Sequence, residues 1–383
     1  MKVIYLSNLP FTDCDFPLIR EMQIKGIDVY YFLMISPHSY RCALLDIKQL
    51  YSKSGIFKAV DVYPEFKMYK DYFNLDNVFV INYTMNSGTS IDNIRLTFNM
   101  VRTFKKLQPD VINITWPICG NQILLYLLRK KLVLTLHDPF PHSGKARARI
   151  FEFWRKISFL MINRIIILNK TQVPLFSKKY NYPIKQIFTS KLGVYDGIKC
   201  FSPEPIWSEK KYILFFGLIS KYKGIEYLLE AYRLIQNRHK DVELIIAGKG
   251  SLYFDKSLYE GNHNIIILNE YITMPRLAGL LKNALFTVCP YKDATQSGVV
   301  QTAFSMNCPV IVTDVGGLPE AVDEHITGLV VPSCNSVALA NAMDTLLSDR
   351  KLLDSMRLNI NSIWSKQMGW KTILEEYLKC YSS

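Results

Sequence analysis

Glycine turns with lysines close behind are the residues of this chain best suited to chemistry. Gly217 follows the apolar residues 213–216 and precedes Lys221 and Lys223. A glycine after a strand lets a ligand approach the backbone, and a helix beginning near Gly224 offers free N–H groups and a positive dipole end. The pattern predicts a diphosphate site, although a single turn of this kind could also be a solvated surface turn.

Two further turns of this type come later in the chain. Their glycines and polar groups, which could hold phosphate or sugar oxygens, are Gly248, Lys249, Gly250, Asp293, Gln296, Ser297, Gly298 and Thr302. In parallel α/β sheets ligands bind at the carboxyl ends of the strands, where such turns lie. Ser297 could also cap the helix that follows.

In the first half, His137 and Asp138 end the apolar stretch 132–136. Such a histidine could hydrogen-bond a sugar hydroxyl, although a lone histidine is more often structural. Ser7, Asn8 and Phe11 follow the first apolar stretch and would form the facing wall of the same cleft.

Basic residues alternate with aromatic ones between residues 145 and 162. The basic side chains of interest are Arg147, Arg149, Arg155 and Lys156. They could lie on an anionic bilayer as part of an amphipathic helix. A packed core helix with a basic outer face would give the same pattern.

The elements that position these residues alternate between strand and helix. Apolar stretches near residues 3–6, 27–33, 111–115, 132–136 and 165–168 predict strands, and a second series runs from 212 to about 349. Alternation of this kind predicts parallel, doubly wound sheets. Turn residues cluster near 193–205, so we expect one domain at 1–200 and another at 201–365, with a final helix over 366–383. Residues 38–100 are tyrosine-rich and show no clear period.

Length and charge agree with two domains. The chain has 383 residues, of which 49% are hydrophobic, and this excludes a disordered protein. The net charge is +13, and residues 1–190 carry the whole excess with 26 basic against 13 acidic residues. This asymmetry indicates a polyanionic partner for the first half: nucleic acid, an anionic membrane surface or a phosphorylated substrate.

The eight cysteines are widely spaced and contain no C-x-x-C pair, which argues against a zinc site and fits a reducing compartment. Residues 1–7 lack a signal-peptide layout, and no apolar run reaches the length of about 18 residues that a membrane span needs. We therefore expect a cytoplasmic protein. The sequence indicates no oligomeric state.

Taken in order, these motifs resemble those of glycosyltransferase family 4, whose members are retaining, nucleotide-sugar-dependent enzymes of GT-B fold. The resemblance is strongest over residues 212–335 and extends to His137-Asp138, to residues 192–196 and to Trp370. It implies two Rossmann-like domains that face each other across a cleft, with the C-terminal helix crossing back to the N-terminal domain.

The resemblance also implies roles for the candidate residues. Gly217, Lys221 and Lys223 would hold the diphosphate of a UDP- or GDP-sugar, and His137 would contact the transferred sugar. The 248–250 turn and the segment ending at Thr273 would flank the nucleoside. The N-terminal half would bind the acceptor. No metal and no permanently bound cofactor would be required, and retention would follow from front-face attack.

Two positions depart from the family. The paired glutamates of its third loop would fall at Ala294 and Thr302, and the arginine that often follows the first glycine turn is Leu218. The loop Ala-Thr-Gln-Ser-Gly-Val is similar to that of a branch of the family in which Gln-Ser-Gly replaces the glutamate loop. Asp293, Gln296 and Ser297 would then supply the contacts to the donor. The first loop also lacks the family's double glycine.

The sequence thus predicts a retaining glycosyltransferase of surface polysaccharide synthesis. Its acceptor would be a glycan, with a polyprenyl-diphosphate carrier at the inner membrane face explaining the basic first half. Three alternatives remain open: a non-catalytic GT-B subunit, a GT-B sugar epimerase and a nucleic-acid-binding protein. The last lacks any recognised binding motif, so we expect no nucleic-acid partner.

Overall fold

Strands and helices alternate along the chain and divide it into two units. The computed structural model describes residues 1–85, 90–140, 148–294, 297–364 and 369–383. One unit consists of Met1–Gly193 with Trp370–Ser383, and the other of Val194–Gly369. Each unit is built on one largely parallel sheet, and this confirms the predicted α/β class with two parallel-sheet domains.

The described residues of the first unit form an eight-stranded sheet. Its strands are β1 (Lys2–Asn8), β2 (Asp28–Ile35), β3 (Gly55–Lys58), β4 (Val78–Asn82), β5 (Val111–Ile114), β6 (Leu132–Leu136), β7 (Ile165–Ile167) and β8 (Ile187–Thr189). Their order in the sheet is β3-β4-β2-β1-β5-β6-β7-β8, and β3 pairs antiparallel with β4 at one edge. The strands β1, β5 and β6 are neighbours, so the residues that follow them meet at one edge of the sheet.

Helices cover this sheet. They are α1 (Thr12–Ile24), α2 (Ala59–Val62), α3 (Ile91–Leu107), α4 (Ala148–Met161) and α5 (Val173–Tyr180). Residues Gly120–Lys131, between β5 and β6, form a 3-10 segment. The final helix also belongs to this unit: its Glu375 pairs with Lys25 of α1, and Arg164 donates to the carbonyl of Cys380 at 3.3 Å.

The second unit has six described strands, all parallel, in the order β11-β10-β9-β12-β13-β14. They are β9 (Lys211–Phe216), β10 (Val242–Ala247), β11 (Ile265–Leu268), β12 (Phe286–Cys289), β13 (Val310–Thr313) and β14 (Gly328–Val331). The helices are α6 (Ile225–Ile235), α7 (Met274–Asn283), α8 (Gly298–Ser305), α9 (Ser336–Ser348) and α10 (Arg350–Asn359), and the final helix of the chain is α11 (Trp370–Tyr381).

Burial explains why these segments form their elements. Residues 212–215 of β9 are fully buried, as expected for a central parallel strand that is covered on both faces. In α6 the buried residues Ile225, Leu228, Leu229 and Tyr232 follow helical spacing and face the sheet. The core of this unit therefore holds the turns after β9, β10 and β12 at one edge.

None of the described helices is both long enough and apolar enough to span a bilayer.

Candidate functional site

The glycine turns after β9 and β10 lie in direct contact. Gly217 has φ +114° and Gly248 has φ +156°. Residues other than glycine rarely adopt such φ values. A Cβ built on Gly248 would overlap the carbonyl oxygen of Gly217. The two strand ends can come this close only because residue 248 is glycine.

Hydrogen bonds tie three successive turns together. The N–H of Gly217 donates to Ala247 (3.0 Å), that of Gly248 donates to Leu268 (2.9 Å), and that of Gly250 donates to Oδ1 of Asn269 (3.0 Å). The N–H groups of all three glycines are therefore already bonded within the protein. Their contribution to a ligand site is close approach to the backbone, not N–H donation.

Lys223 lies two residues before the start of α6 and is buried, with only 8% of the residue exposed. Its Nζ lies 3.7 Å from the centre of the Tyr291 ring and 5.0 Å from that of Tyr222. Burial lowers the pKa of Lys223 to about 8, and the aromatic faces attract the ammonium. Lys221, two residues earlier, is exposed.

Gly224 joins Lys223 to α6 and fixes where the helix begins. Its φ is +62°, and a Cβ on it would overlap the carbonyl oxygen of Pro290. Lys223 is therefore held at the N-terminus of α6, where the helix dipole adds positive potential. A buried ammonium beside a helix N-terminus suits an anionic ligand such as a diphosphate.

An ion pair occupies the first turn of α6. Glu226 accepts from Lys292 (2.7 Å) through one oxygen and from the hydroxyl of Tyr253 (2.7 Å) through the other, and that hydroxyl accepts from the N–H of Ile225 (2.9 Å). Lys292 thus neutralises the negative charge of Glu226, so the positive potential at Lys223 is retained. The sequence did not indicate this network.

The turn after β12 is described only in part, because Gln296 lies outside the described residues. Ser297 is buried, and its hydroxyl lies 3.3 Å from that of Tyr291, the ring that contacts Lys223. Gly298 begins α8 in contact with Tyr195, whose ring would lie 2.7 Å from a Cβ at this position. Asp293 is exposed. Lys249 and Thr273, which belong to other segments, are exposed as well.

The two positions at which the family carries glutamates contain no carboxylate. Ala294 is partly exposed, and the hydroxyl of Thr302 donates to the carbonyl of Gly298 at 2.8 Å within its own helix. The neighbouring Gln301 is 2% exposed, and its Oε1 has no hydrogen-bond partner in the described part of the chain. Gln301 is a polar group near this turn that the sequence reasoning missed.

In the first unit, His137 lies directly after β6, and its ring stacks on Phe11. The ring centres are 4.1 Å apart and the planes differ by 19°. Burial lowers the pKa of His137 to about 4, so the imidazole is neutral at physiological pH. The backbone carbonyl of Asp138 accepts from Arg155 at 3.2 Å.

The residues after β1 differ in how accessible they are. The Ser7 side chain is fully buried, and its hydroxyl lies 2.9 Å from that of Thr115. The expectation that Ser7 contacts an acceptor does not fit this geometry, because its hydroxyl is occupied inside the core. Asn8 and Phe11 are partly exposed.

Arg155 also differs from its expected place on a membrane-facing patch. Its side chain is 12% exposed, and its guanidinium donates to the carbonyls of Asp138 and Pro139 and lies 5.6 Å from the Phe159 ring centre. These contacts turn Arg155 inward. Lys156 is exposed, whereas Arg147 and the side chain of Arg149 lie outside the described residues.

The second unit is similar in sequence to known proteins. Residues 210–349 match the family model of the glycosyl transferases, group 1. An uncharacterized glycosyltransferase of Methanocaldococcus jannaschii is 29% identical over 46% of this chain and 46% of its own length. A capsular polysaccharide biosynthesis glycosyltransferase of Staphylococcus aureus is 24% identical over 43% of this chain and 44% of its own length. The chain thus spans less than half the length of these relatives.

A solved structure matches over the full length. The structure of Anabaena HepE in complex with UDP-glucose superposes with a TM-score of 0.67 at 14% identity, covering 100% of this chain and 99% of that one. The chain has the GT-B fold.

Within this GT-B chain, the structure brings together many of the residues singled out from the sequence. Gly217, Gly248 and Gly250 meet in the second unit, and Ser297 lies beside the ring that contacts Lys223. In the first unit, Phe11 meets His137. The ligand roles assigned to these residues stay predictions.

Proposed function

We propose that this chain is a retaining glycosyltransferase of family 4 that transfers a sugar from a UDP- or GDP-sugar to a glycan acceptor. The observation that carries the proposal is the buried Lys223 at the N-terminus of α6, in the segment that follows Gly217, whose turn contacts that of Gly248. The family match over residues 210–349 supports it, as does the likeness in fold to a protein solved with UDP-glucose.

In this proposal, Lys223 and the N-terminus of α6 bind the diphosphate of the donor. Bond cleavage leaves additional negative charge on the diphosphate, and a fixed ammonium and helix dipole stabilise that charge without a metal ion. Gly217 and Gly248 let the ligand approach the backbone, and Lys221, Lys249 and Thr273 line the nucleotide from their exposed positions. The second unit, near residues 201–365, is thus the donor domain.

In the third loop, which lacks the paired glutamates, the contacts to the donor come from Asp293, Gln296 and Ser297. Ser297 and Gly298 follow directly on this turn, and Thr302 contributes by fixing the first turn of α8 through its bond to Gly298. His137 accepts a hydrogen bond from a hydroxyl of the transferred sugar, with Asp138 beside it. The first unit, near residues 1–200 with the final helix, is the acceptor domain.

The test is a turnover assay. Purified protein is incubated with radiolabelled UDP- and GDP-sugars and with polyprenyl-diphosphate-linked glycans. We expect nucleoside diphosphate release and a product that keeps the donor's anomeric configuration, both reduced in Lys223→Ala. Binding of donors without turnover across the panel would favour a non-catalytic subunit, and conversion of the donor without an acceptor would favour an epimerase.

We further propose that the acceptor is lipid-linked and that the protein acts at the inner face of the membrane in surface polysaccharide synthesis. Ile150, Phe153 and Leu160 are 58%, 59% and 83% exposed on α4, and the exposed Lys156 lies on the same helix. Spacings of three and seven residues place these apolar groups on one face. An apolar helix face with a basic neighbour suits an anionic bilayer surface.

Sedimentation with lipid vesicles tests whether this face of α4 binds a membrane. Phe153→Ser with Leu160→Ser, and separately Lys156→Glu, should each lower binding to vesicles that contain phosphatidylglycerol, while donor binding is unchanged. Phe98→Ser is the matched control, since Phe98 is 53% exposed on α3. Equal binding by the wild type and all variants would contradict the membrane proposal.

A further inference from the structure

The stacked pair Phe11 and His137 joins two separate segments of the first unit. Phe11 ends the 3-10 turn Leu9–Phe11 that follows β1, and His137 follows β6. The strand β5 lies between β1 and β6, so the two rings meet across the edge of the sheet. With centres 4.1 Å apart and planes within 19°, Phe11 covers one face of the imidazole.

The Nε2 atom of His137 is buried and has no hydrogen-bond partner among the described residues. A buried polar atom left unpaired is costly, so native structures rarely keep one without a reason. The polar groups nearby bond elsewhere: Ser7 pairs with Thr115, and Arg155 donates to the carbonyls of Asp138 and Pro139. The described part of the chain therefore offers this nitrogen no partner, which leaves it available to a ligand hydroxyl.

Charged neighbours do not explain the neutrality of the ring. The carboxylate of Asp138 raises the pKa of His137, but the effect of burial is larger and lowers it to about 4. Arg155 on α4 contacts the Asp138 backbone, and Asp13 on α1, two residues after Phe11, has its own pKa raised by burial to about 6. Apolar cover is the dominant influence on the ring, and Phe11 supplies one face of it.

We propose that Phe11 is a positioning residue: its ring holds His137 in one orientation, excludes water from Nε2 and so presents that atom to a hydroxyl of the transferred sugar. This rests on the proposed function, in which His137 contacts that sugar. With the proton on Nδ1, the neutral ring accepts at Nε2. Phe11 occupies the loop in which the family's double glycine is absent, so this chain covers the histidine with a side chain.

The decisive measurement is an NMR titration of the six histidine rings, with His137 assigned by its loss in His137→Gln. In the wild type the ring should stay neutral down to about pH 5, as a single tautomer, because its pKa is about 4. In Phe11→Ala the pKa should rise towards the ordinary value of 6.5. Phe11→Tyr keeps an aromatic face and should preserve the low pKa, and Phe98→Ala is the control for loss of a ring elsewhere.

A binding comparison tests the positioning. The affinities of UDP-glucose and UDP are measured for each variant; UDP lacks the sugar, so its affinity should not change in Phe11→Ala. Any preference for UDP-glucose should fall about tenfold, the factor of one ordinary hydrogen bond. Phe11→Tyr should keep the preference.

The outcomes separate the two proposals. An unchanged His137 pKa in Phe11→Ala would overturn the role of Phe11, whether or not the protein transfers sugar. A raised pKa with an unchanged preference for UDP-glucose would also overturn it, because cover would then have no effect on sugar binding. If the wild type binds neither UDP- nor GDP-linked nucleotides, the proposed function fails, and the titration alone still decides whether Phe11 shields the ring.

Discussion

Replacement of Lys223 with alanine is expected to weaken binding of UDP by about 1.5–3 kcal/mol, the range for hydrogen bonds to charged groups. The ammonium is buried at a helix N-terminus, where little solvent screens its attraction to a diphosphate. Isothermal titration calorimetry with UDP measures the change. Lys221→Ala is the matched control, because Lys221 has the same charge but is exposed, and its loss should cost under about 1 kcal/mol. Equal losses at both positions would show that only net charge matters, and no loss at Lys223 would remove it from the donor site.

The pH dependence of binding gives a second, independent reading of Lys223. Its pKa in the free protein is about 8, so the ammonium loses its proton above that pH while a diphosphate favours the charged form. UDP affinity should therefore be level between pH 7 and 7.5 and fall above pH 8. Lys223→Arg stays charged and should show no such fall. The free energy of unfolding should change in the opposite direction: between the folded pKa of about 8 and the ordinary value of 10.5 the unfolded chain binds the extra proton, so stability rises with pH.

Among the glycine substitutions, Gly248→Ala should lower the free energy of unfolding the most. The glycine has φ +156°, and a Cβ would overlap the carbonyl oxygen of Gly217, whose strand is central in its sheet. Backbone strain of this type costs about 1–3 kcal/mol before any overlap is counted, so the total should reach at least about 3 kcal/mol. Urea denaturation measures it, and UDP binding should be lost at the same time.

Gly261→Ala separates strain from overlap. Gly261 lies in the same unit with φ +77°, but a Cβ there would meet nothing within 4 Å. Its substitution should lower the free energy of unfolding by only about 1–2 kcal/mol, the cost of a left-handed alanine. If Gly248→Ala is no more destabilised than Gly261→Ala, then the contact between the two glycine turns does not limit stability.

The sequence predicts those groupings of residues that follow from the order of strands and helices along the chain. Buried parallel strands are continuous apolar runs, and the residues after them meet at one edge of the sheet, so the grouping of Gly217 with Gly248 could be predicted. Contacts between distant side chains could not. Lys223 meets Tyr291, and Glu226 pairs with Lys292. No local pattern records these pairings, because they arise where the pairing of β9 with β12 brings together the segments that follow the two strands.

Two other segments show why pattern reasoning fails. Residues 38–100 contain the antiparallel edge strand β3, which is only partly buried and so lacks an apolar run. They also contain Tyr69, whose ring packs against Phe16 of α1. The basic residues near Arg155 in the sequence predict a surface position for its side chain. Its long side chain instead reaches inward to two carbonyls, a choice that depends on where the chain turns after β6.

The bonds that tie the turns after β9, β10 and β11 also limit how this protein can diversify. Each turn is held at a fixed length by a partner in the next one, through Gly217 with Ala247, Gly248 with Leu268 and Gly250 with Asn269. An inserted residue at one of these bonded positions would displace its partner in the neighbouring turn. Variation among close homologues should therefore fall on exposed side chains such as Lys249 and Asp293, with the three loop lengths constant.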